Sequence, residues 1–200
     1  MKIQVLFTFA MLLSLMTYAQ KKSDYIITNK GDTLICKIKR PFLSSLQYTL
    51  PGDTAKYLNT DSIKGYYIAK DDNLVRAVYI GNKKKPKFID VIENGPISLY
   101  QIVNTHYSMY GGASSTTTWY IGKGSDRATE LKTNALFAGK SRDERKNDFA
   151  EMIKDKPNVY EKYMAENKFN FNFIQNLVHL YNTGKLLSEE KTEAKKDDAY

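Results

Sequence analysis

Two hundred residues carry one cysteine, two histidines, one tryptophan and five prolines. A lone cysteine, Cys36, excludes an internal disulfide, so the fold is held by its apolar core. His106 and His179 stand apart, with no HExxH, no His-x-His and no carboxylate at ligand spacing, so no metal site is assigned. A Gly-x-Ser-x-Gly elbow and a P-loop are also missing. Gly122-Lys123-Gly124-Ser125 lacks both the upstream glycine and the immediate helix of a phosphate loop, and reads as a hairpin turn. Cys36 alternates with Leu34 and Ile38 and reads as a small buried hydrophobe. These absences leave no catalytic residue and no cofactor to name, and the chain reads as non-enzymatic.

No apolar run is long enough to cross a bilayer, which takes about 20 residues. The run Val5 to Met16 follows Lys2 and precedes Thr17-Tyr18-Ala19-Gln20, the order of a secretory signal with small residues at −3 and −1. Residues 1–19 therefore read as a leader, cut between Ala19 and Gln20. No cysteine ends the apolar run, so no lipid anchor is expected. The product is expected in the periplasm or at the cell surface, without a transmembrane segment, as a single domain over 20–187. The net charge of +8, one unit of which leaves with Lys2, permits peripheral contact with an anionic envelope surface and does not indicate nucleic-acid binding.

What the sequence does have is alternation. Over 24–122 apolar residues recur every second position: Leu34, Cys36 and Ile38 against Thr33, Ile35, Lys37 and Lys39, then Leu46, Tyr48 and Leu50, then Phe88 and Ile92 against Ile89 and Val91, then Thr117, Trp119 and Ile121. Asn29-Lys30-Gly31-Asp32, Pro51-Gly52-Asp53, Asp71-Asp72-Asn73, Gly81-Asn82-Lys83, Asn94-Gly95-Pro96 and Gly111-Gly112 punctuate the runs as tight turns. Short connections without helices predict an antiparallel meander, flat or rolled.

Over 130–186 the period becomes helical. Phe149, Met152 and Ile153 mark one helix, Val159, Tyr160, Tyr163 and Met164 a second after Pro157, and Ile174, Leu177, Val178 and Tyr181 a third between Asn170 and Gly184. Each has one apolar face to cover, which predicts an α+β domain: an antiparallel sheet or open roll followed by about three C-terminal helices. Residues 188–200 are too polar to order and read as a disordered charged tail.

Candidate binding residues are aromatic and basic. Tyr66, Tyr67, Trp119 and Tyr120, with Tyr107 and Tyr110 nearby, suit ligand contact because a ring can bury while its polar tip stays wet. Neighbours in a strand face opposite sides, so one member of each adjacent pair is expected outside the main core. Lys83, Lys84 and Lys85, with Lys87, form the densest basic patch, at a hairpin tip. Asp90 shares a face with Phe88 and Ile92 and reads as a structural aspartate.

The hairpin Asp24 to Ile38, the segment Ile63-Lys64-Gly65-Tyr66-Tyr67 and the ending Leu180-Tyr181-Asn182-Thr183-Gly184 resemble uncharacterised exported proteins of Bacteroidota. That resemblance implies an envelope location in a Gram-negative cell and supplies no catalytic residues. The expectation is an exported binding module for a protein, peptide or glycan partner. A hydrolase of an envelope polymer, or a purely structural envelope component, are the alternatives.

Overall fold

The computed structural model describes residues 22–41, 45–107, 111–134, 139–166, 168–187 and 189. The leader with its Ala19–Gln20 cleavage site, Tyr110 and the tail apart from Glu189 lie outside them. The strands in chain order are β1 (Tyr25–Thr28), β2 (Thr33–Ile35), β3 (Lys37–Lys39), β4 (Gln47–Thr49), β5 (Lys56–Tyr57), β6 (Ile63–Ile68), β7 (Asn73–Ile80), β8 (Lys87–Glu93), β9 (Ile97–Tyr107), β10 (Ala113–Lys123) and β11 (Arg127–Thr133). Helices α1 (Arg142–Ile153), α2 (Pro157–Glu166) and α3 (Phe171–Thr183) follow, and none of the described helices is long and apolar enough to cross a membrane.

One sheet runs β11-β10-β9-β8-β7-β6-β1-β2 with antiparallel neighbours, and β3-β4-β5 form a second, three-stranded one. The large sheet does not stay open. β11 also pairs in parallel with β7, where Tyr79 N–H donates to Asp126 O and Gly81 N–H to Ala128 O, both at 2.9 Å. Strands β7 to β11 thus close into a small barrel, where alternation alone predicts a meander or an open roll. Register shifts at Val91/Glu93 and Trp119/Tyr120 supply the extra twist that closure needs.

Closure gives the strands two buried faces. Inside the barrel, Val78, Ile89, Tyr100 and Ala128 pack with Ile80, Val91, Ile102 and Tyr120. Outside it, Ile97, Leu99, Trp119, Ile121 and Leu131 meet Phe149 and Ile153 of α1, Val159 and Tyr163 of α2, and Ile174, Leu177, Val178 and Tyr181 of α3. At roughly 1.5–3 kcal/mol for each fully buried large side chain, this helical layer is a main source of stability. A third cluster, Ile26, Cys36, Tyr48, Ile63, Tyr66 and Val75, joins the small sheet to the β1–β6 end of the large one. Leu34 and Met164, both assigned to apolar stripes by spacing, are exposed instead.

Local chemistry fixes the helix ends. Ser141 Oγ accepts Glu144 N–H at 3.2 Å while Glu144 Oε2 accepts Ser141 N–H at 2.7 Å, a reciprocal cap that starts α1. Asn170 Oδ1 accepts Phe173 N–H at 2.9 Å to start α3, and Gly184 ends it with φ of 81°. Arg145 reaches Glu130 at 3.0 Å and holds α1 to β11. His179 of α3 sits buried with Nδ1 3.2 Å from Glu93 Oε2, a packing role for a pair far apart in sequence.

Candidate functional site

Residues 33 to 39 form one extended run that leaves the large sheet as β2 and enters the small one as β3, with Cys36 at the corner. Asp24 fixes that corner. Its carbonyl accepts Cys36 N–H at 3.0 Å, its Oδ2 accepts Ile38 N–H at 2.9 Å, and its Oδ1 accepts Ala69 N–H at 2.9 Å, so its carboxylate is wholly committed to backbone amides. Successive residues of a strand turn their main-chain groups to opposite edges. Asp32 O, Cys36 N–H and Ile38 N–H all address the β1 side, since Thr28 N–H donates to Asp32 O at 2.9 Å. Thr33 and Ile35 therefore direct their N–H and C=O to the free edge of the sheet, beyond which no described strand pairs with β2.

Further along, the same edge is occupied: Lys37 and Lys39 pair with Thr49 and Gln47 of β4. The wedge between the open β2 edge and the turn after β4 is a groove of about 620 Å³. Ile35, Cys36, Leu50, Pro51 and Ala69 give it an apolar lining. Asp53 pairs with Lys56 at 2.5 Å and Lys22 with Asp72 at 2.7 Å, and the lining charges Lys22 and Lys37 against Asp24 and Asp53 sum to zero, with Lys37 outside any ion pair among the described residues. Ile35 is 66% exposed and Leu34 37%. Cys36 is buried; desolvation, with a smaller contribution from the Asp24 charge, pushes its thiol up to about 11, so it is protonated and inert at neutral pH.

The residues singled out from sequence fall elsewhere, with one exception. Tyr66 is core, edge-on to Phe88 with centroids 5.3 Å apart. Trp119 is covered by α3, edge-on to Phe171 at 4.6 Å, with its Nε1–H donated to Gln101 at 2.9 Å. Tyr120 points into the barrel, where burial and then the Glu130 charge raise its hydroxyl pKa. Trp119 and Tyr120 face opposite sides of β10 and Tyr120 lies outside the main cluster, but closure of the sheet sets it half-buried against a second, interior cluster rather than in the open. Tyr67 does lie at the surface, stacked on Tyr25 at 5.1 Å and donating to Asp72, the partner of groove residue Lys22. Lys83, Lys84 and Lys85 are exposed in the β7–β8 turn. Asp90 is half-buried and accepts the Asn73 amide at 3.0 Å, as a structural aspartate does. His106 is exposed opposite Ser114.

Ile35 is not among the aromatic and basic candidates that the sequence offers. Its signal was in the alternation: it is the one apolar member of the face Thr33, Ile35, Lys37, Lys39, an otherwise solvated set. Compared with known protein families, with curated proteins and with solved structures, the chain matches none.

Proposed function

We propose that this chain is an exported, non-enzymatic binding module that takes an extended peptide segment of a partner protein as an added strand along β2. The observation that carries the reading is the open β2 edge, with Thr33 and Ile35 presenting main-chain groups beside an apolar groove and with Ile35 66% exposed. Strand addition draws affinity from main-chain hydrogen bonds and selectivity from side-chain pockets. A neutral groove with apolar walls suits an uncharged, apolar stretch of peptide. A glycan would need an open aromatic platform; Tyr66 and Trp119 are enclosed and Tyr120 is half-buried in the barrel, which leaves one stacked pair, Tyr25–Tyr67. Glycoside hydrolysis would generally need two free carboxyl groups in one cleft, whereas Asp24 is committed to amides and Asp53 to Lys56.

The test is a linear-peptide display library panned on the chain as recovered after export, whose N-terminal sequence also reads the cleavage at Ala19–Gln20. Selected peptides should be apolar and extended, and should shift the amide resonances of Thr33 and Ile35. They should lose binding to Ile35→Pro, since proline deletes the outward N–H and leaves the β1 side of β2 untouched. Equal binding to Ile35→Pro, or no enrichment over a blank panning, overturns the reading.

A further inference from the structure

We propose that the mouth of the barrel holds a second site, specific for a small monocarboxylate and centred on Arg76. The position follows from how β7 is shared. One edge of β7 pairs with β6 as far as Arg76, opposite Gly65, and with β11 from Tyr79 onward. Between these pairings the wall of the barrel is notched, and the notch opens a cavity of about 390 Å³ lined by Lys64, Arg76, Ser98, Tyr100, Ser125 and Asp126 among others. None of these residues belongs to the β2 groove.

Strand parity turns Arg76 inward, on the face of Val78 and Ile80, both packed in the barrel interior. No described carboxylate lies in ion-pair range of its guanidinium, and since its Nε is closed off from solvent, the Nη1/Nη2 edge is the part left open to an anion. A half-buried guanidinium with no counter-charge beside it is costly to leave unmet. What the cavity offers is thus an unpaired guanidinium, the Tyr100 hydroxyl, and an apolar wall at Val78, while the Ser98 and Ser125 hydroxyls already donate to Gly95 O and Arg127 O.

Ligand class follows from charge and shape. Lys64 and Arg76 against Asp126 leave one positive charge in excess, which matches a monoanion. A planar carboxylate takes two parallel N–H donors from a guanidinium, whereas a phosphate dianion would meet the Asp126 carboxylate at the rim. The volume leaves room for an apolar body beyond the carboxylate.

The experiment uses the full chain and follows the Arg76 Nε–Hε resonance by NMR while sodium benzoate or sodium acetate is added at constant ionic strength. The resonance should move saturably with benzoate, less tightly with acetate, and not with chloride. Arg76→Lys, which keeps the charge and loses the fork, should weaken benzoate at least about tenfold. Should that variant fail to fold, Lys64→Gln on the rim should still weaken benzoate and reduce its salt dependence. No saturable movement with either carboxylate, an equal response to chloride, or tighter binding of inorganic phosphate than of benzoate overturns the proposal.

Discussion

Asn182 is hydrogen-bonded to Ile97 as one strand is to another: its Oδ1 accepts Ile97 N–H at 3.0 Å and its Nδ2 donates to Ile97 O at 2.8 Å. A side chain at the end of α3 thereby completes the backbone of the first residue of β9, a residue with no exposed surface. Gly95 makes room for this, because a Cβ there would fall 2.5 Å from Asn182 Cγ. Replacement of Asn182 by alanine leaves two buried polar groups unmet and should cost about 2–4 kcal/mol. Gly95→Ala should be destabilising in the natural chain and much less so once Asn182 is alanine. Urea unfolding of the two single variants and the double variant reads this coupling, and strict additivity would refute it.

Gly122 meets a harder obstacle, the carbonyl of Arg127, 2.5 Å from where its Cβ would be. Backbone cannot swing aside as an asparagine can, and this backbone belongs to the strand that closes the barrel onto Tyr79. Gly122→Ala should therefore cost about 1–3 kcal/mol, and no second substitution at a nearby side chain should restore it. Hydrogen exchange gives the local readout: the Tyr79 and Gly81 amides, which bond to Asp126 and Ala128, should lose protection before those of α3.

These two glycines show where sequence reading stops. The turns at Asn29–Asp32, Pro51–Asp53, Gly81–Lys83 and Asn94–Pro96 were legible, because glycine, asparagine and proline act within a few residues of themselves. So were α3 and its Asn170 and Gly184 ends. Closure of β11 onto β7 was not legible, since it rests on a two-residue register between strands about fifty positions apart and on twist accumulated through two bulges. That one event moved Tyr120 from an expected surface to an interior. The β2 edge was half legible: Ile35 broke a polar face, but only the departure of the chain into a second sheet at Cys36 left that edge open.

Alkaline stability should fall as buried acids titrate, with Cys36 and Tyr163 shifted furthest and Tyr66 and Tyr120 raised in the same direction. Cys36 moves from 9.0 to about 11 and Tyr163 from 10.0 to about 12, both mainly through desolvation. In each case the unfolded chain releases its proton first, so the folded chain holds more protons between the two values and stability falls as pH rises. The stabilisation is complete below pH 9 and is lost progressively up to pH 12. Cys36→Ala should flatten the lower part of that decline and Tyr163→Phe the upper part, whatever each does to stability at neutral pH. Folded protein should also react with a thiol reagent far more slowly at pH 8 than urea-unfolded protein. Equal rates would place Cys36 outside the core.

Trp119, the single tryptophan, reports on the contact between sheet and helices. Its indole is 6% exposed, lies edge-on to Phe171 and donates Nε1–H to Gln101, the residue opposite it on β9. Two substitutions separate the parts of that environment. Gln101→Leu keeps the packing and strands a buried donor, which should cost about 1–3 kcal/mol while the emission stays blue-shifted, because no water is admitted. Phe171→Ala keeps the hydrogen bond and uncovers the ring, so its emission should move to the red and acrylamide should quench it more strongly even in fully folded protein. If Gln101→Leu gave the red shift and Phe171→Ala did not, water rather than α3 would be what Trp119 faces, and the helical layer would not lie across β9 and β10 as the packing of Leu99, Ile121 and Leu177 requires.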